Sequence, residues 1–600
     1  MTIEDDGSPV DYIFGELDQP QNAAIWLKKR LSGVHHYAQK TPDAPAPKKE
    51  VILKVTTNND QVFDEVVIWF TTDEWQHTKK ATFTKHHLVW NSVAWSMIQE
   101  WQFTLPPQSE GVMLRYKIGA KIPGSDEFIF TDNQSRTFDE ATHYSIWYGQ
   151  ENNPDWAKEA VVYQVFIDRF NPGKERQWEQ TANISKHYGG TLVGVIEKLP
   201  FIREMGFNAI WLTPIFDSPS HHGYDTTDYF RINPRFGTLA DFNTLLSEAH
   251  RLGIRVILDF VANHCSHKHP FFMDALQNAD SAYHDWFVWK QWPAYESFFD
   301  VGSMPKINLA YGSPAKEHLL QAARYWLELG VDGYRLDYAY GPEHDFWIDF
   351  RRTCSAVNPD VWTFGELVLP ADIQACYADS LGGSLDFLLA QALRATFGSH
   401  TWTLSKFAGF ISNHYDYFPK NHSLPGFFDN HDMDRFFTIA KDDLSRLKLA
   451  LLVLYTLPGP PIIYYGTEVP LSQRHLLHEG GGLGFDEARL EMDWHAVMSS
   501  GLPDYLRRLA DIRNELVVSP SHNWHQMLVD DVQQILILTA QEEKELLIVN
   551  RSMEAKDISL YITMEKVVYR DRITGETYPI LDHRLELKIQ PLMAIVLTNG

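Results

Sequence analysis

The chain has 600 residues, 44% of them hydrophobic, and a formal net charge of -25. That length implies several domains or one large barrel with attachments. The acidic balance argues against binding nucleic acid or anionic membrane surfaces and fits a protein acting on neutral molecules.

Three cysteines, Cys265, Cys354 and Cys376, have no CxxC spacing, so neither a disulfide framework nor a zinc site is expected. The stretch Met1 to Asp6 lacks the basic and apolar regions of a secretory leader. The longest apolar run, Leu449 to Leu457, is too short to span a bilayer and meets Pro458. The expected setting is therefore a reducing cytoplasm.

Residues 1–150 read as a β-sandwich domain. Val51 to Thr57, Val66 to Thr71 and Val112 to Gly119 are β-rich and are separated by turn-forming Asn, Asp, Pro and Gly. Pro42 to Lys49, with three prolines, reads as a linker ahead of them. Trp69, Trp75, Trp90 and Trp95 read as core side chains, with a sugar-stacking platform as the alternative. Asn152-Asn153-Pro154 is the expected boundary.

Residues 151–520 alternate strand and helix. Buried strands are expected at Val161 to Phe166, Ala209 to Leu212, Val256 to Phe260, Asp332 to Leu336, Val361 to Phe364 and Pro461 to Tyr465. Thr238 caps a helix with Leu239, Phe242, Leu245, Leu246, Ala249 and Leu252 at helical spacing, and Gly253 stops it. Ser313-Pro314 starts another that ends at Gly330. Repeated βα units predict a (β/α)8 TIM barrel, an α/β fold, with an irregular aromatic insertion at about 265–312. Short strands return over 521–600 as a C-terminal β-domain.

In such a barrel the functional groups stand at the C-terminal ends of the strands. Asp259 closes one strand, with Asn263 and His264 beyond it. Arg335 and Asp337 close the next, two positions apart and so on one side. Glu366 follows Phe364-Gly365, and His431 and Asp432 follow Phe427-Phe428. Bland readings exist: Asp259 as a loop anchor, Asn263 and His264 as loop hydrogen-bonders, Arg335–Asp337 as a structural ion pair. The recurrence of carboxylates at matching strand ends favours an acid/base site for a glycosidic bond. Arg335 is expected to keep Asp337 ionised as a nucleophile. Desolvation is expected to raise Glu366 and keep its proton available. Asp432 is the third carboxylate, positioning the sugar. A retaining pair requires about 5–5.5 Å between nucleophile and acid.

Four ordered motifs carry a resemblance. They are Asp259-Phe260-Val261-Ala262-Asn263-His264, Gly333-Tyr334-Arg335-Leu336-Asp337, Gly365-Glu366 and Phe428-Asp429-Asn430-His431-Asp432. Over about residues 160–520 the chain resembles the α-amylase family, glycoside hydrolase family 13. The resemblance implies Asp337 as nucleophile, Glu366 as acid/base and Asp432 as transition-state stabiliser. It implies sugar binding by His264, Arg335 and His431, stacking by Tyr224 in His222-Gly223-Tyr224-Asp225, and a neighbouring-subsite role for Arg489. Met304-Pro305-Lys306-Ile307-Asn308 is similar to a motif of the cyclomaltodextrinase, neopullulanase and maltogenic amylase group. That likeness implies short or cyclic α-glucans as substrates and a homodimer through the N-terminal domain. Tyr338-Ala339-Tyr340 and Leu367-Val368 depart from the group at positions that shape the leaving-group side, leaving product size and the balance of hydrolysis to transglycosylation open. No cofactor is required by this reading. Calcium is left open, since Phe170 to Arg176 lacks an oxygen-rich donor set.

The expected function is a retaining α-1,4-glucan hydrolase acting on cyclodextrins, maltooligosaccharides or pullulan. The alternatives are a transglycosylase or isomerase on the same scaffold, or a non-catalytic glucan-binding protein.

Overall fold

The computed structural model describes residues 20–149, 152–174, 176–181, 183–477, 484–516, 523–564 and 567–599. Met1 to Asp6 and Glu175, both used in the sequence reading, lie outside the described residues.

Two five-stranded antiparallel sheets occupy the N-terminal part. One is built on Val51–Asn58 and Ser96–Leu105, the other on Val66–Thr71 and Val112–Lys121. Leu53 and Val55 from the first sheet share one buried core with Ile68, Tyr116 and Ile118 from the second, which makes the pair a sandwich. Pro42 to Lys49 is not a linker. It joins Lys40–Thr41 to Val51–Asn58, and these two strands pair with each other (Lys40 opposite Leu53). The helix Pro20–Leu31, for which the sequence reading gives no element, precedes the sandwich.

The barrel sheet runs, in spatial order, Trp362–Gly365, Gly333–Asp337, Arg255–Val261, Ala209–Leu212, Val162–Val165 and Ile462–Tyr464, all parallel. The ring closes through single parallel bridges: Gly365 to Ser384, Gly383 to Ser423, and Gly426 to Pro461. Two strand positions are thus reduced to bridge-length segments. Thr238 forms a full capping box with Asp241 and starts the helix Leu239–Arg251, an arrangement worth about 1 kcal/mol. Ser313 caps Pro314–Glu328 through Ala315 N.

Period-2 alternation sets the site. On Gly333–Asp337, Tyr334 turns outward and donates its hydroxyl to Ala323 O on the helix Pro314–Glu328 (2.6 Å). Arg335 and Asp337 therefore face the barrel axis. The C-terminal six-stranded sheet uses the same rule. Leu536, Leu538, Leu547 and Val549 join the barrel-side core, while Ile537, Leu546 and Ile548 pack on the two-stranded sheet Lys556–Tyr561 and Arg584–Ile589.

Candidate active site

Parallel register brings the charged residues side by side. Asp259 is opposite Arg335, Val261 opposite Asp337, and Leu336 opposite Gly365, one residue before Glu366. Arg335 is fully buried and reaches three carboxylates. Its Nη1 lies 2.9 Å from both Asp259 Oδ1 and Asp337 Oδ1. Its Nη2 lies 2.6 Å from Glu366 Oε1 as an ion pair without hydrogen-bond alignment.

A second group adjoins the first through Asp259. Trp211 Nε1 donates to Asp259 Oδ2 (3.0 Å), and the Tyr224 hydroxyl donates to the same oxygen (2.9 Å). Tyr224 O also lies 2.6 Å from His431 Nε2, and the two ring planes are parallel within 1°. Gly223 sets this tyrosine: its φ is +83°, and a Cβ there would meet Pro214 O at 2.7 Å. Gln164 Nε2 sits 2.8 Å from His431 Nδ1, which leaves Nε2 to face Tyr224 and Asp432. Asp432 is held by His431 Nε2 (2.9 Å) and Arg489 Nη2 (2.5 Å), and Arg489 Nε donates to His431 O (2.7 Å).

His264 lies beyond Asp259 and stacks on Phe298 of the insertion (4.5 Å, 26°). Burial lowers its imidazole to about 4, so it is neutral and its Nε2 has no protein partner. The segment Met304 to Asn308 pairs beside it: Lys306 bridges His264 and Ile307 N donates to Asn263 O (2.9 Å). Asn171, in the stretch weighed for calcium, spends its amide on Gly194 O and Gly173 N. Among the described residues no group of three or more His, Cys, Asp or Glu is placed to hold a metal.

The nine residues singled out from the sequence, Tyr224, Asp259, His264, Arg335, Asp337, Glu366, His431, Asp432 and Arg489, thus stand in one region. Trp211 and Gln164 were missed. Gln164 did leave a signal, as a polar residue inside the apolar strand Val162–Val165. Burial acts on Asp337 against Arg335. Burial pushes Asp337 well above the ordinary carboxylate range, with Arg335 opposing it and losing. Glu366 is raised too, by burial first. Asp432 goes the other way: burial opposes its ionisation, but His431 and then Arg489 hold it far below the usual range. The site therefore sets two raised, interacting carboxyls beside one fixed anion, so one of the pair can be ionised while the other keeps a proton.

The family model "Alpha amylase, catalytic domain" matches residues 164–518, more than half of the chain. The chain belongs to the α-amylase family. It is a glycoside hydrolase of that family, and its relatives place it beside the cyclomaltodextrinase and neopullulanase members. It is 35% identical over 446 residues to Alpha-amylase 2 of Dictyoglomus thermophilum, covering 74% of this chain and 76% of the relative. It is 33% identical over 476 residues to Neopullulanase 2 of Thermoactinomyces vulgaris, covering 74% and 79%. The solved structure of a cyclomaltodextrinase superposes with a TM-score of 0.69 over 95% of this chain and 99% of that one, at 24% identity, and so shares the fold. The family match begins within the strand Val162–Val165 and ends beyond the helix Leu502–Leu516, so it contains every residue of the site.

Proposed function

We propose that this family member is a retaining hydrolase of α-1,4 bonds in cyclodextrins, maltooligosaccharides or pullulan. The carrying observation is the Arg335 fork. One guanidinium contacts Asp337 through Nη1 and Glu366 through Nη2, which supports the short spacing of a retaining pair, about 5–5.5 Å, over the wider inverting one. Asp337 attacks the anomeric carbon. Glu366 gives its proton to the departing oxygen and then takes one from water as the glycosyl–Asp337 ester is hydrolysed. Nη1 makes the aligned hydrogen bond, so Asp337 is the carboxylate favoured in ionised form and Glu366 keeps the shared proton. Asp432, held ionised, supports positive charge at the ring. Tyr224, His264, His431 and Arg489 bind the sugar.

A panel of β-cyclodextrin, pullulan, starch and maltotriose with product chromatography tests the reading. Cleavage that is abolished in Asp337→Asn supports it. Unchanged cleavage in that variant refutes it, and rearranged disaccharides from maltose would point instead to an isomerase.

Two further readings accompany this one. The three buried free cysteines support a reducing, cytoplasmic setting. The hairpin of Thr84–Asn91 and Ser96–Leu105 supports self-association. Trp90 and Trp95 are not core residues: they are 46% and 74% exposed, beside exposed Leu88, Val89, Val93 and Met97.

A further inference from the structure

A cavity of about 690 Å³ lies at the opposite end of the barrel from the carboxylates. The short helix Asp155–Lys158 stands just before the strand Val162–Val165, Pro359-Asp360 just before Trp362–Gly365, and Pro458 to Pro460 just before Ile462–Tyr464. All three segments line the cavity, and all three precede N-terminal strand ends. Asp337, Glu366 and Asp432 stand at C-terminal ends, so the cavity is separate from the site above. Its volume falls in the range of small-ligand sites.

Hydrogen bonds fix its frame. Asn153 Nδ2 donates to Gly382 O (2.5 Å) and to Asn421 O (2.9 Å). Ser423 N donates to Gly382 O (2.9 Å), and Gly426 N to Pro460 O (2.8 Å). The stretch Asn152-Asn153-Pro154, which the sequence suggests as a boundary, thus builds one wall of the cavity.

The lining is amphipathic and balanced in charge. Tyr415 and Phe418, at the end of the helix Leu404–Tyr417, supply aromatic rings. Asp155 and Asp360 offset Lys158 and Lys420. Both lysines are already paired, Lys158 with Asp155 (2.9 Å) and Lys420 with Asp416 (3.1 Å). An anionic ligand therefore finds no unpaired lining cation. Asp360 is exposed to water, where a single carboxylate holds a cation only weakly.

One buried polar atom is left over. His422 lines the cavity, stacks on Phe418 (5.9 Å, 14°) and is 5% exposed. Its Nε2 meets Ser384 Oγ (3.0 Å), and its Nδ1 has no protein partner. Burial lowers this imidazole to about 3, so the ring is neutral. A buried polar atom without a partner calls for one. A hydroxyl suits a neutral ring nitrogen, because it can donate or accept. Asn152 and Asn421 add amide donors and acceptors at the exposed rim. Flat apolar rings, amides and no net charge match a sugar, whose ring faces are apolar and whose edges carry hydroxyls.

We infer that this cavity is a second, non-catalytic binding site for a short neutral glucan, of the size of a di- or trisaccharide. The ligand class rests on the glucan reading above, whereas the separateness of the site rests on its place at the N-terminal strand ends.

The test counts bound maltotriose. Asp337→Asn stops turnover, so radiolabelled maltotriose can be followed by equilibrium dialysis. Asn421→Trp and Lys158→Trp each set a ring across the cavity from a different exposed rim position. In the otherwise unaltered chain, each should hydrolyse α-maltosyl fluoride as the parent does, which reports an intact barrel, and either variant alone suffices. The Asp337→Asn chain should bind a second equivalent beyond the one in the active site, and adding Asn421→Trp or Lys158→Trp should remove that second equivalent only. The same number bound with and without the added tryptophan would overturn the cavity site. A single equivalent that disappears on adding the tryptophan would uphold the cavity and count instead against the active-site reading.

Discussion

Arg489 Nη2 lies 2.5 Å from Asp432 Oδ1, and its Nε bonds the carbonyl of the preceding residue, His431. One side chain thus fixes both the charge and the backbone of the third carboxylate. Arg489→Lys keeps the charge but cannot make both contacts in the fork geometry of a guanidinium. We expect kcat/KM for maltotriose to fall about tenfold to a hundredfold, roughly 1.4–2.7 kcal/mol, with Arg489→Ala lower still. Steady-state kinetics checks this, and an Arg489→Lys variant as active as the parent would show that the contact is not used.

The site motifs were legible because strand periodicity and strand ends are sequence-local. Arg335 and Asp337 must share a face, and the barrel rule places Asp259, Glu366 and Asp432 at one mouth. The helix starts at Thr238 and Ser313 were legible through capping chemistry. Other features depend on what meets across the fold. Phe298 reaches His264 only because the insertion folds back, and nothing near residue 298 encodes that partner. The bridge segments at Ser384 and Ser423 are too short to leave a β pattern. The upward pull on Asp337 was not legible because its arginine neighbour is visible in sequence whereas complete burial of the pair is not. Trp90 and Trp95 resemble core tryptophans in composition, and only the edge position of their hairpin shows otherwise.

Removing the acid tests the division of labour between the two raised carboxyls. Glu366→Gln should lower kcat/KM for maltotriose by about 10²–10⁴-fold. Release of fluoride from α-maltosyl fluoride in a single turnover should be much less affected, because fluoride leaves without a proton. Asp337→Asn should abolish both, by at least about 10³-fold. Equal losses on the two donors in Glu366→Gln would contradict the proton-donor role.

The activity profile should be displaced upward in pH. Burial raises Asp337 and Glu366 together, and the two titrate as a pair. Activity needs the singly protonated pair, so it is lost below the lower step and above the higher one. Both steps belong above the ordinary carboxylate value of about 4. A plot of kcat/KM against pH checks this, and an acid limb centred at or below about 4 would be inconsistent with the buried pair.

Stability should decline on the acid side before the carboxylates titrate. His36 is lowered to about 4 and His422 to about 3, in each case by burial first. His36 is enclosed between Tyr116 OH (2.9 Å) and Lys54 O (2.6 Å), and His422 bonds Ser384 Oγ (3.0 Å). The unfolded chain takes up a proton at each near pH 6.5, while the folded chain does not until much lower pH. Their contribution is therefore fully present above about 6.5 and is lost as pH falls toward 4, at up to about 1.4 kcal/mol per pH unit for each. Chemical denaturation at pH 7, 6, 5 and 4 should show a steady loss beginning near pH 6.5. His422→Gln should flatten part of that slope, and a curve level down to pH 5 would contradict the neutral buried state.

The exposed hairpin offers the last test. Trp90 and Trp95 meet edge-to-face at 5.2 Å, and the strand Thr84–Asn91 is the free edge of its sheet. A long apolar edge left in water is an association surface. A second copy is the occupant we favour, since a hairpin edge can pair with its own counterpart about a two-fold axis. Mass measurement in solution should give a dimer for the parent chain and a monomer for Trp90→Arg combined with Trp95→Ser. These positions lie far in sequence from the barrel residues of the site, so hydrolysis of α-maltosyl fluoride reports on whether the barrel remains intact. A parent chain that is monomeric at every concentration tested would remove the hairpin as a self-association surface.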